Sequence, residues 1–256
     1  MPDMTLRWHC EGDLVPVFRR GAFRMLDLLF PRDCPISGEP VDNVPWLHLT
    51  NTGLDSLHRV SAPHCETCGA PFFGVLAGPQ TCPHCCDLSP VFDRGKTAVV
   101  AKGAGRRLVH VLKYRQGTWL ARDMARIILT TPGYADFLDG AVLVPVPLHP
   151  HKLHFRGYNQ AELLVDALAA LSPSLRVARL LARIRDTATQ TRLGREDRAH
   201  NMENAFALRP GAVVDPEARY IVFDDVFTTG ATLNACCAVL AREGATRLDV
   251  GTFAHG

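Results

Sequence analysis

One short stretch near the C-terminus, Tyr220–Leu233, constrains the fold more than any other part of the sequence. An apolar run that predicts a buried strand comes first, the adjacent carboxylates Asp224 and Asp225 follow, and a small hydroxylated loop then opens a helix. Ligands of open α/β sheets bind beyond the carboxyl ends of the strands, which is where this order places the polar groups. The stretch therefore predicts an α/β sheet with a binding site at its edge.

The loop after the two carboxylates has the composition of a phosphate site. Its backbone N–H groups, its threonine hydroxyls and the helix dipole can all favour an anion, and Gly230 lets the backbone approach closely. Adjacent carboxylates are costly to desolvate unless donors pair with them, and vicinal ribose hydroxyls are suitable donors. Alternatively, the acid pair only caps the following helix. The candidate phosphate-binding residues are Thr228, Thr229, Gly230, Ala231 and Thr232.

Apolar periodicity divides the chain into two parts. Up to about Asp93 the sequence is rich in Pro, Gly, His and Cys, apart from a short helical pattern at Phe23–Phe30. From Thr97 onward strand and helix signals alternate, which indicates a mostly parallel α/β domain. We therefore predict a cysteine-rich module at residues 1–95 and an α/β domain at residues 96–256. The predicted elements of the domain are strands at 97–101, 141–146 and 247–254, helices at 106–114, 119–129 and 159–171, and a strand-turn-helix unit at 219–243.

Charge and hydropathy narrow the choice of partner and compartment. Residues 1–95 carry 7 basic and 11 acidic side chains, whereas residues 96–256 carry 21 and 15, so a polyanion should prefer the second part. The N-terminal stretch has no apolar core of a signal peptide, and no apolar run reaches membrane-spanning length. These patterns predict a soluble cytoplasmic protein.

Two C-x-x-C pairs form the second strong signal in the sequence. The pairs are Cys65 with Cys68 and Cys82 with Cys85, and 13 residues separate them. In a reducing compartment, two such pairs are typical of a tetrahedral structural zinc site. The competing interpretation, a redox-active pair, would instead use a single C-x-x-C on a thioredoxin-like unit. We therefore predict one zinc ion held by four thiolates.

Basic residues follow the predicted strand that ends at Val144–Pro147. Lys152 and Arg156 come shortly after it, and their charges suit a pyrophosphate group. Further along, the stretch from Ala182 to Asn204 is too polar for a core and is interpreted as a solvated segment or a functional loop.

These motifs together resemble the ComF family. The stretch Tyr220–Leu233 resembles the 13-residue signature of type I phosphoribosyltransferases, and Val144–Pro147 leading into Arg156–Gln160 is similar to a ComF pattern. Two further ComF segments are matched at Thr187–Gln190 and at Arg198–Phe206. With the cysteine module included, the resemblance extends over nearly the whole chain.

The resemblance implies a type I phosphoribosyltransferase-like domain that binds 5-phosphoribosyl 1-diphosphate. Asp224 and Asp225 would hold the ribose hydroxyls, and the loop from Thr228 to Thr232 would hold the 5′-phosphate. Mg²⁺ would bridge the diphosphate and the ribose, and a nitrogen nucleophile would replace pyrophosphate. The polar stretch from Ala182 to Asn204 would be the loop that closes over the diphosphate.

Three functions are compatible with this resemblance. The chain could transfer the phosphoribosyl group, could bind single-stranded DNA during natural transformation, or could sense phosphoribosyl diphosphate without turnover. No motif specifies an acceptor base, so the residues do not decide between these functions. Aromatic residues make up 7% of the chain, so a typical stacking platform for single strands is not evident from composition.

The family resemblance also implies a second zinc ribbon, from which this sequence departs. ComF-like proteins commonly carry further cysteine pairs nearer the N-terminus. Here the run Cys34-Pro35-Ile36-Ser37-Gly38 has serine where the second cysteine is expected, and the next pair is expected, but missing, within Leu54–Val60. One metal ion is therefore the simpler expectation.

Overall fold

A five-stranded parallel sheet forms the centre of the structure, a computed structural model that describes residues 32–41, 45–72, 81–185 and 204–256. In chain order the strands are β1 (Arg94–Val100), β2 (Val142–Pro145), β3 (Arg176–Val177), β4 (Leu181–Arg183), β5 (Phe206–Leu208), β6 (Arg219–Phe227) and β7 (Arg247–His255). The order across the sheet is β1-β7-β6-β2-β3 with parallel pairing throughout. Strands β4 and β5 form a separate antiparallel pair.

Helices cover both faces of the sheet. They are α1 (Asn51–Asp55), α2 (Pro83–Leu88), α3 (Gly103–Tyr114), α4 (Ala121–Thr130), α5 (Tyr134–Leu138), α6 (Pro150–Arg156), α7 (Gln160–Leu171) and α8 (Ala231–Arg242), with a 3₁₀ turn at Thr118–Leu120. Within the described ranges, no helix combines the length and the apolar character that crossing a bilayer requires.

The apolar run of β6 explains its central position. Ile221, Val222 and Phe223 are fully buried, as expected for a parallel strand covered on both faces. Helices α3, α4 and α7 pack on one face of the sheet. Helix α8, the β4–β5 pair and the cysteine module pack on the other face. The predicted fold class, a parallel α/β sheet flanked by helices with a small cysteine module, is confirmed.

Several elements differ from the sequence prediction or lie beyond the description. Strand β1 begins at Arg94, three residues earlier than predicted, and helix α6 was not predicted. None of the seven residues of α6 is buried, so no apolar periodicity marks it. The helical pattern at Phe23–Phe30, the segment Thr187–Gln190 and most of the polar stretch from Ala182 to Asn204 lie outside the described residues.

A segment of the cysteine-rich part covers the edge of the sheet. The N–H of Val60 donates to the carbonyl of Ala98 at 2.9 Å, and the N–H of Val100 donates to the carbonyl of His58 at 2.8 Å. Arg59 forms an antiparallel bridge with Val99 between these bonds. The outer hydrogen-bonding groups of β1 are thereby paired, which protects an edge strand from pairing with another chain.

Candidate functional site

The strand order creates a crevice between β2 and β6. Helix α7, which follows β2, packs on one face of the sheet, and helix α8, which follows β6, packs on the other. The connections that leave the two neighbouring strands therefore run to opposite faces of the sheet. Such an arrangement opens a crevice at the carboxyl ends of the two strands, where α/β proteins bind ligands. The N–H of Val146 donates to the carbonyl of Phe223 at 2.9 Å, so the chain leaving β2 lies beside the acid pair of β6.

The acid pair lies near the carboxyl end of β6. Asp224 is half-buried, and Asp225 is only 4% exposed. Asp225 is buried although it lies near the carboxyl end of the strand, because β6 continues to Phe227 and consecutive residues of a strand point to opposite faces. The helix-capping alternative is wrong, since the N-cap of α8 is Gly230.

A lysine that the sequence analysis did not identify contacts the acid pair. The ammonium of Lys113, in the last turn of α3, lies 2.8 Å from the Oδ2 atom of Asp225. The lysine side chain is 24% exposed and the aspartate side chain 5% exposed, so the ion pair is largely shielded from water. No local pattern could have revealed it, because the two residues are far apart in the sequence.

The surroundings of Asp224 favour its neutral form. Burial and the negative charge of Asp225 raise the pKa of Asp224 to about 7, although the charge of Lys113 opposes the rise. The N–H of Asp225 also donates to the Oδ1 atom of Asp224 at 2.8 Å. Near neutral pH Asp224 is therefore present in both its neutral and its charged form, a balance that a hydrogen-bonding ligand can change.

The predicted phosphate loop lies between β6 and α8. Gly230 has a φ of +69°, a backbone conformation that favours glycine. Thr228 is exposed, whereas Thr229, Ala231 and Thr232 are half-buried. The N-cap Gly230 offers no side chain to the twelve-residue helix α8, and the hydroxyl of Thr229 accepts a long hydrogen bond of 3.5 Å from the N–H of Ala231. The positive end of the helix faces the loop and is suited to an anion.

The two predicted pyrophosphate-binding residues lie on α6, just after β2. Lys152 and Arg156 are both half-buried. The guanidinium of Arg156 lies over the ring of Tyr114, 5.5 Å from its centre, while Tyr158 donates a hydrogen bond to the carbonyl of Leu112. These contacts join the region of α6 to the end of α3 that carries Lys113. Both basic residues therefore follow the strand next to the acid pair.

The four predicted zinc ligands come together in the structure. The sulfur atoms of Cys65, Cys68, Cys82 and Cys85 all lie within 4.8 Å of one another, and all four residues are buried. The Sγ atoms of Cys68 and Cys82 are 3.6 Å apart. Zn–S bonds of about 2.3 Å in a tetrahedron give sulfur–sulfur edges of about 3.8 Å, so this cluster could hold a metal ion such as zinc.

The cysteine module packs directly against the phosphate loop. Helix α2 contributes Leu88, whose Cδ2 atom would lie 2.7 Å from a Cβ atom placed on Gly230, while the ring of Phe227 would lie 2.6 Å from it. The N–H of Val91 donates to the side chain of Asn234 in α8 at 2.7 Å. The predicted metal site and the predicted phosphate site therefore share a packed boundary.

The described N-terminal part contains a second turn with the same construction as the cysteine turn. The N–H of Cys34 donates to the carbonyl of Glu39 at 2.8 Å, and the N–H of Gly38 donates to that of Cys34 at 2.8 Å. The corresponding bonds of the cysteine turn run from Cys65 to Ala70 at 2.7 Å and from Gly69 to Cys65 at 2.8 Å. Ser37 therefore occupies the position that corresponds to Cys68.

The counterpart of the second cysteine pair is Thr50 with Gly53, not a pair within Leu54–Val60. Thr50 is the N-cap of α1, as Cys82 is the N-cap of α2, and Gly53 stands three residues later. The hydroxyls of Ser37 and Thr50 form a hydrogen bond of 2.8 Å, which joins the turn around Cys34 to the start of α1. The expected location was wrong because threonine and glycine leave no cysteine signal to follow.

No protein-family model matches the chain, whereas several known proteins are similar to it. DNA utilization protein YhgH of Escherichia coli K12 is 30% identical over 197 residues, covering 75% of this chain and 84% of that protein. Competence protein ComFC of Streptococcus pneumoniae is 25% identical over 231 residues, covering 86% and 97%.

Among solved structures, a hypoxanthine phosphoribosyltransferase from Staphylococcus aureus aligns with a TM-score of 0.31 and 10% identity, over 53% of this chain and 62% of that chain. A likeness of this degree says nothing by itself about activity. Competence protein F of Haemophilus influenzae is 30% identical over 218 residues, covering 82% of this chain and 93% of that protein. That extent of shared sequence shows that the chain belongs to the ComF family.

Proposed function

We propose that the crevice between β2 and β6 binds 5-phosphoribosyl 1-diphosphate together with Mg²⁺. The observation that supports this most strongly is the order of groups along one edge of the sheet. A partly exposed carboxyl, Asp224, is followed within a few residues by a loop that opens a helix with glycine as its N-cap. A ribose diol suits the carboxyl, and a 5′-phosphate suits the loop and the helix N-terminus.

Each group of the chain has a distinct part in this proposal. The ribose hydroxyls donate to Asp224 and Asp225, and the loop Thr228–Thr232 receives the 5′-phosphate. Lys152 and Arg156 attract the diphosphate, since the edge of a guanidinium can bind phosphate while its face stacks on a ring. The oxygens of the ribose and of the diphosphate fit Mg²⁺, which would neutralise charge on the diphosphate.

The division of the chain into two parts belongs to the same proposal. Residues 1–95 act as a structural module, with zinc bound by Cys65, Cys68, Cys82 and Cys85. Residues 96–256 contain the groups that contact the ligand. The contact between Leu88 and Gly230 is consistent with a structural role for the module, because through it the module packs against the loop.

Calorimetric titration of phosphoribosyl diphosphate in Mg²⁺ buffer tests the binding site. A charge-assisted hydrogen bond is worth roughly 1.5–3 kcal/mol, so Asp224→Asn with Asp225→Asn should weaken binding by a factor of hundreds. Asp139→Asn is the matched control, because this exposed residue precedes β2 and lies toward the amino ends of the strands, away from the acid pair. Binding by the double variant as tight as that of the wild type would show that the acid pair does not hold the ribose.

Transfer of the phosphoribosyl group is the reaction that such a bound ligand makes available. The bond from C1 of the ribose to the diphosphate would break, pyrophosphate would leave, and C1 would bond to a nitrogen nucleophile. Release of pyrophosphate in the presence of a panel of bases and ammonia tests this step. Binding without release for every acceptor would favour the sensor function instead.

We further propose single-stranded DNA as a partner of the basic part of the chain. Phe155 is 92% exposed, Tyr114 is 67% exposed, and the guanidinium of Arg156 lies over the tyrosine ring. Exposed rings next to basic groups suit bases and phosphates of a single strand. The names of the relatives, DNA utilization protein and competence protein F, agree with a role in DNA uptake.

Anisotropy of a fluorescent oligonucleotide tests the DNA proposal. Stacking is worth roughly 1–3 kcal/mol per base, so Phe155→Ala should weaken single-strand binding between about fivefold and a hundredfold. Val213→Ala is the control, because Val213 is an exposed apolar residue elsewhere, at 81% exposure. Affinity should also fall as salt rises. Equal losses in the two variants, or insensitivity to salt, would contradict this surface.

A further inference from the structure

The ion pair between Lys113 and Asp225 is built into the fold rather than formed on its surface. Lys113 approaches from α3 on one face of the sheet, and Asp225 projects from the central strand β6 toward it. Their charged atoms are 2.8 Å apart in a setting where the aspartate is almost fully buried. A buried carboxylate that lacks a counter-charge is strongly disfavoured, so the lysine has a specific electrostatic task.

The end of α3 is fixed in a way that positions the lysine. Tyr158 donates a hydrogen bond to the carbonyl of Leu112, the residue directly before Lys113. The N–H groups of Arg115 and Gly117 both donate to the carbonyl of Val111, at 3.1 and 3.2 Å. These bonds close the last turn of the helix. The ammonium is therefore placed by the backbone as well as by its attraction to the carboxylate.

The titratable groups that face Asp224 lie on three elements. Asp225 is its neighbour on β6, Lys113 faces the pair from α3, and Cys236 lies on α8. Burial, together with nearby charges that include that of Asp224, raises the pKa of Cys236, so its thiol is uncharged at neutral pH. On β7 the residue in register with Asp224 is the uncharged Thr252. Within the described part of the chain, Lys113 is the cation whose charge acts on Asp224, while the charge of Arg183, on β4, acts on Cys236.

We propose that Lys113 is a positioning residue of the ribose site, which orients the buried Asp225 and keeps Asp224 available as a charged acceptor for the ribose hydroxyls. The inference rests on the proposed binding of phosphoribosyl diphosphate. Asp225 is the inner carboxylate, which forms the ion pair with Lys113 of helix α3. Asp224 is the outer carboxyl, which meets the ligand in the crevice.

Removal of the lysine should change the titration of the acid pair before any ligand is added. The charge of Lys113 lowers the pKa of Asp224, so Lys113→Met should move its titration midpoint upward by about one pH unit. Carbon-13 resonances of the aspartate carboxyls report this midpoint directly. Lys113→Arg should keep it close to the wild-type position, since the charge is retained. Arg107→Met, which removes an exposed charge from the same helix, is the matched control.

Ligand binding provides the second measurement. At pH 7, Lys113→Met should bind phosphoribosyl diphosphate in Mg²⁺ buffer about fivefold more weakly than wild type, because a midpoint one unit higher leaves about a fifth as much charged Asp224, and the deficit should shrink by pH 8.5 as Asp224 ionises. Lys113→Arg should recover most of the affinity. A variant that merely misfolds would show a deficit that does not depend on pH.

The outcomes separate this inference from the proposed function. If the wild type does not bind phosphoribosyl diphosphate, the proposed function fails and so does the ribose role of Lys113, even if the midpoint moves. If the wild type binds, an unmoved midpoint in Lys113→Met, or a deficit that is constant with pH, overturns the positioning role alone. A moved midpoint together with a pH-dependent deficit supports both.

Discussion

Gly230 stands where the predicted phosphate loop meets both α8 and the cysteine module, and its replacement tests the packing of that junction. A Cβ atom at this position would lie 2.6 Å from the ring of Phe227 and 2.7 Å from the Cδ2 atom of Leu88. The backbone also has a φ of +69°, which disfavours any side chain. Gly230→Ala therefore imposes two costs, one from conformation and one from crowding.

The two costs can be separated with a second glycine. The left-handed conformation costs a residue with a side chain roughly 1–2 kcal/mol, and overpacking of a filled region adds about 1–3 kcal/mol. Gly140 has a φ of +66° and no atom within 4 Å of an added Cβ, so Gly140→Ala should show the conformational cost alone. Gly230→Ala should lower the free energy of unfolding by about 2–5 kcal/mol.

Urea unfolding measures both variants under the same conditions. With a slope near 3 kcal/mol per molar, a loss of about 3 kcal/mol moves the midpoint of Gly230→Ala by roughly 1 M. On a Leu88→Ala background, Gly230→Ala should cost less, because the removed side chain makes room. Equal losses for Gly230→Ala and Gly140→Ala would refute the crowding argument. So would a loss that does not change on the Leu88→Ala background.

Three further predictions address the metal site, the acid pair and the turn at Cys34. We expect about one zinc per chain by elemental analysis and a clear loss of zinc in Cys68→Ser, because four thiolates complete one tetrahedral shell. The pKa of Asp224 is raised to about 7, above its unfolded value of roughly 4, so its stabilising effect is complete below pH 4 and is lost as the pH rises through 7. Asp224→Asn should therefore be more stable than wild type to heat at pH 8, with no such gain at pH 4. Replacing Ser37, Thr50 and Gly53 together by cysteine should raise the zinc content to about two per chain, and an unchanged content would contradict the correspondence of the two turns.

The parts of the fold that the sequence revealed are those with a local signature. The strand, acid pair and loop of Tyr220–Leu233 are contiguous, so their order alone located β6 and the start of α8. The two C-x-x-C pairs have a spacing that only a compact cluster explains well. The structure brings the four cysteines of the second signal together as predicted.

The parts that the sequence did not reveal depend on contacts between distant residues. Lys113 is an ordinary lysine at the end of an amphipathic helix until β6 places Asp225 opposite it. The burial of Asp225 follows from the extension of β6 to Phe227, a boundary that apolar patterning does not define. The turn around Cys34 has the same backbone hydrogen bonds as the turn around Cys65 although Ser37 stands in place of a second cysteine, and residue types alone do not reveal such a backbone likeness.

The shared boundary between the cysteine module and the phosphate loop makes the two predicted ligands thermodynamically reciprocal. Leu88 reaches Gly230 from a helix whose N-cap is a cysteine of the cluster, so any order that a bound metal gave to α2 would reach the loop through this contact. Linkage requires that if zinc tightens the loop for a phosphate, the phosphate tightens the cluster for zinc by the same factor. The zinc affinity measured by equilibrium competition with a chelator would then be a gauge of occupancy in the crevice, even for a ligand with no colour or fluorescence of its own.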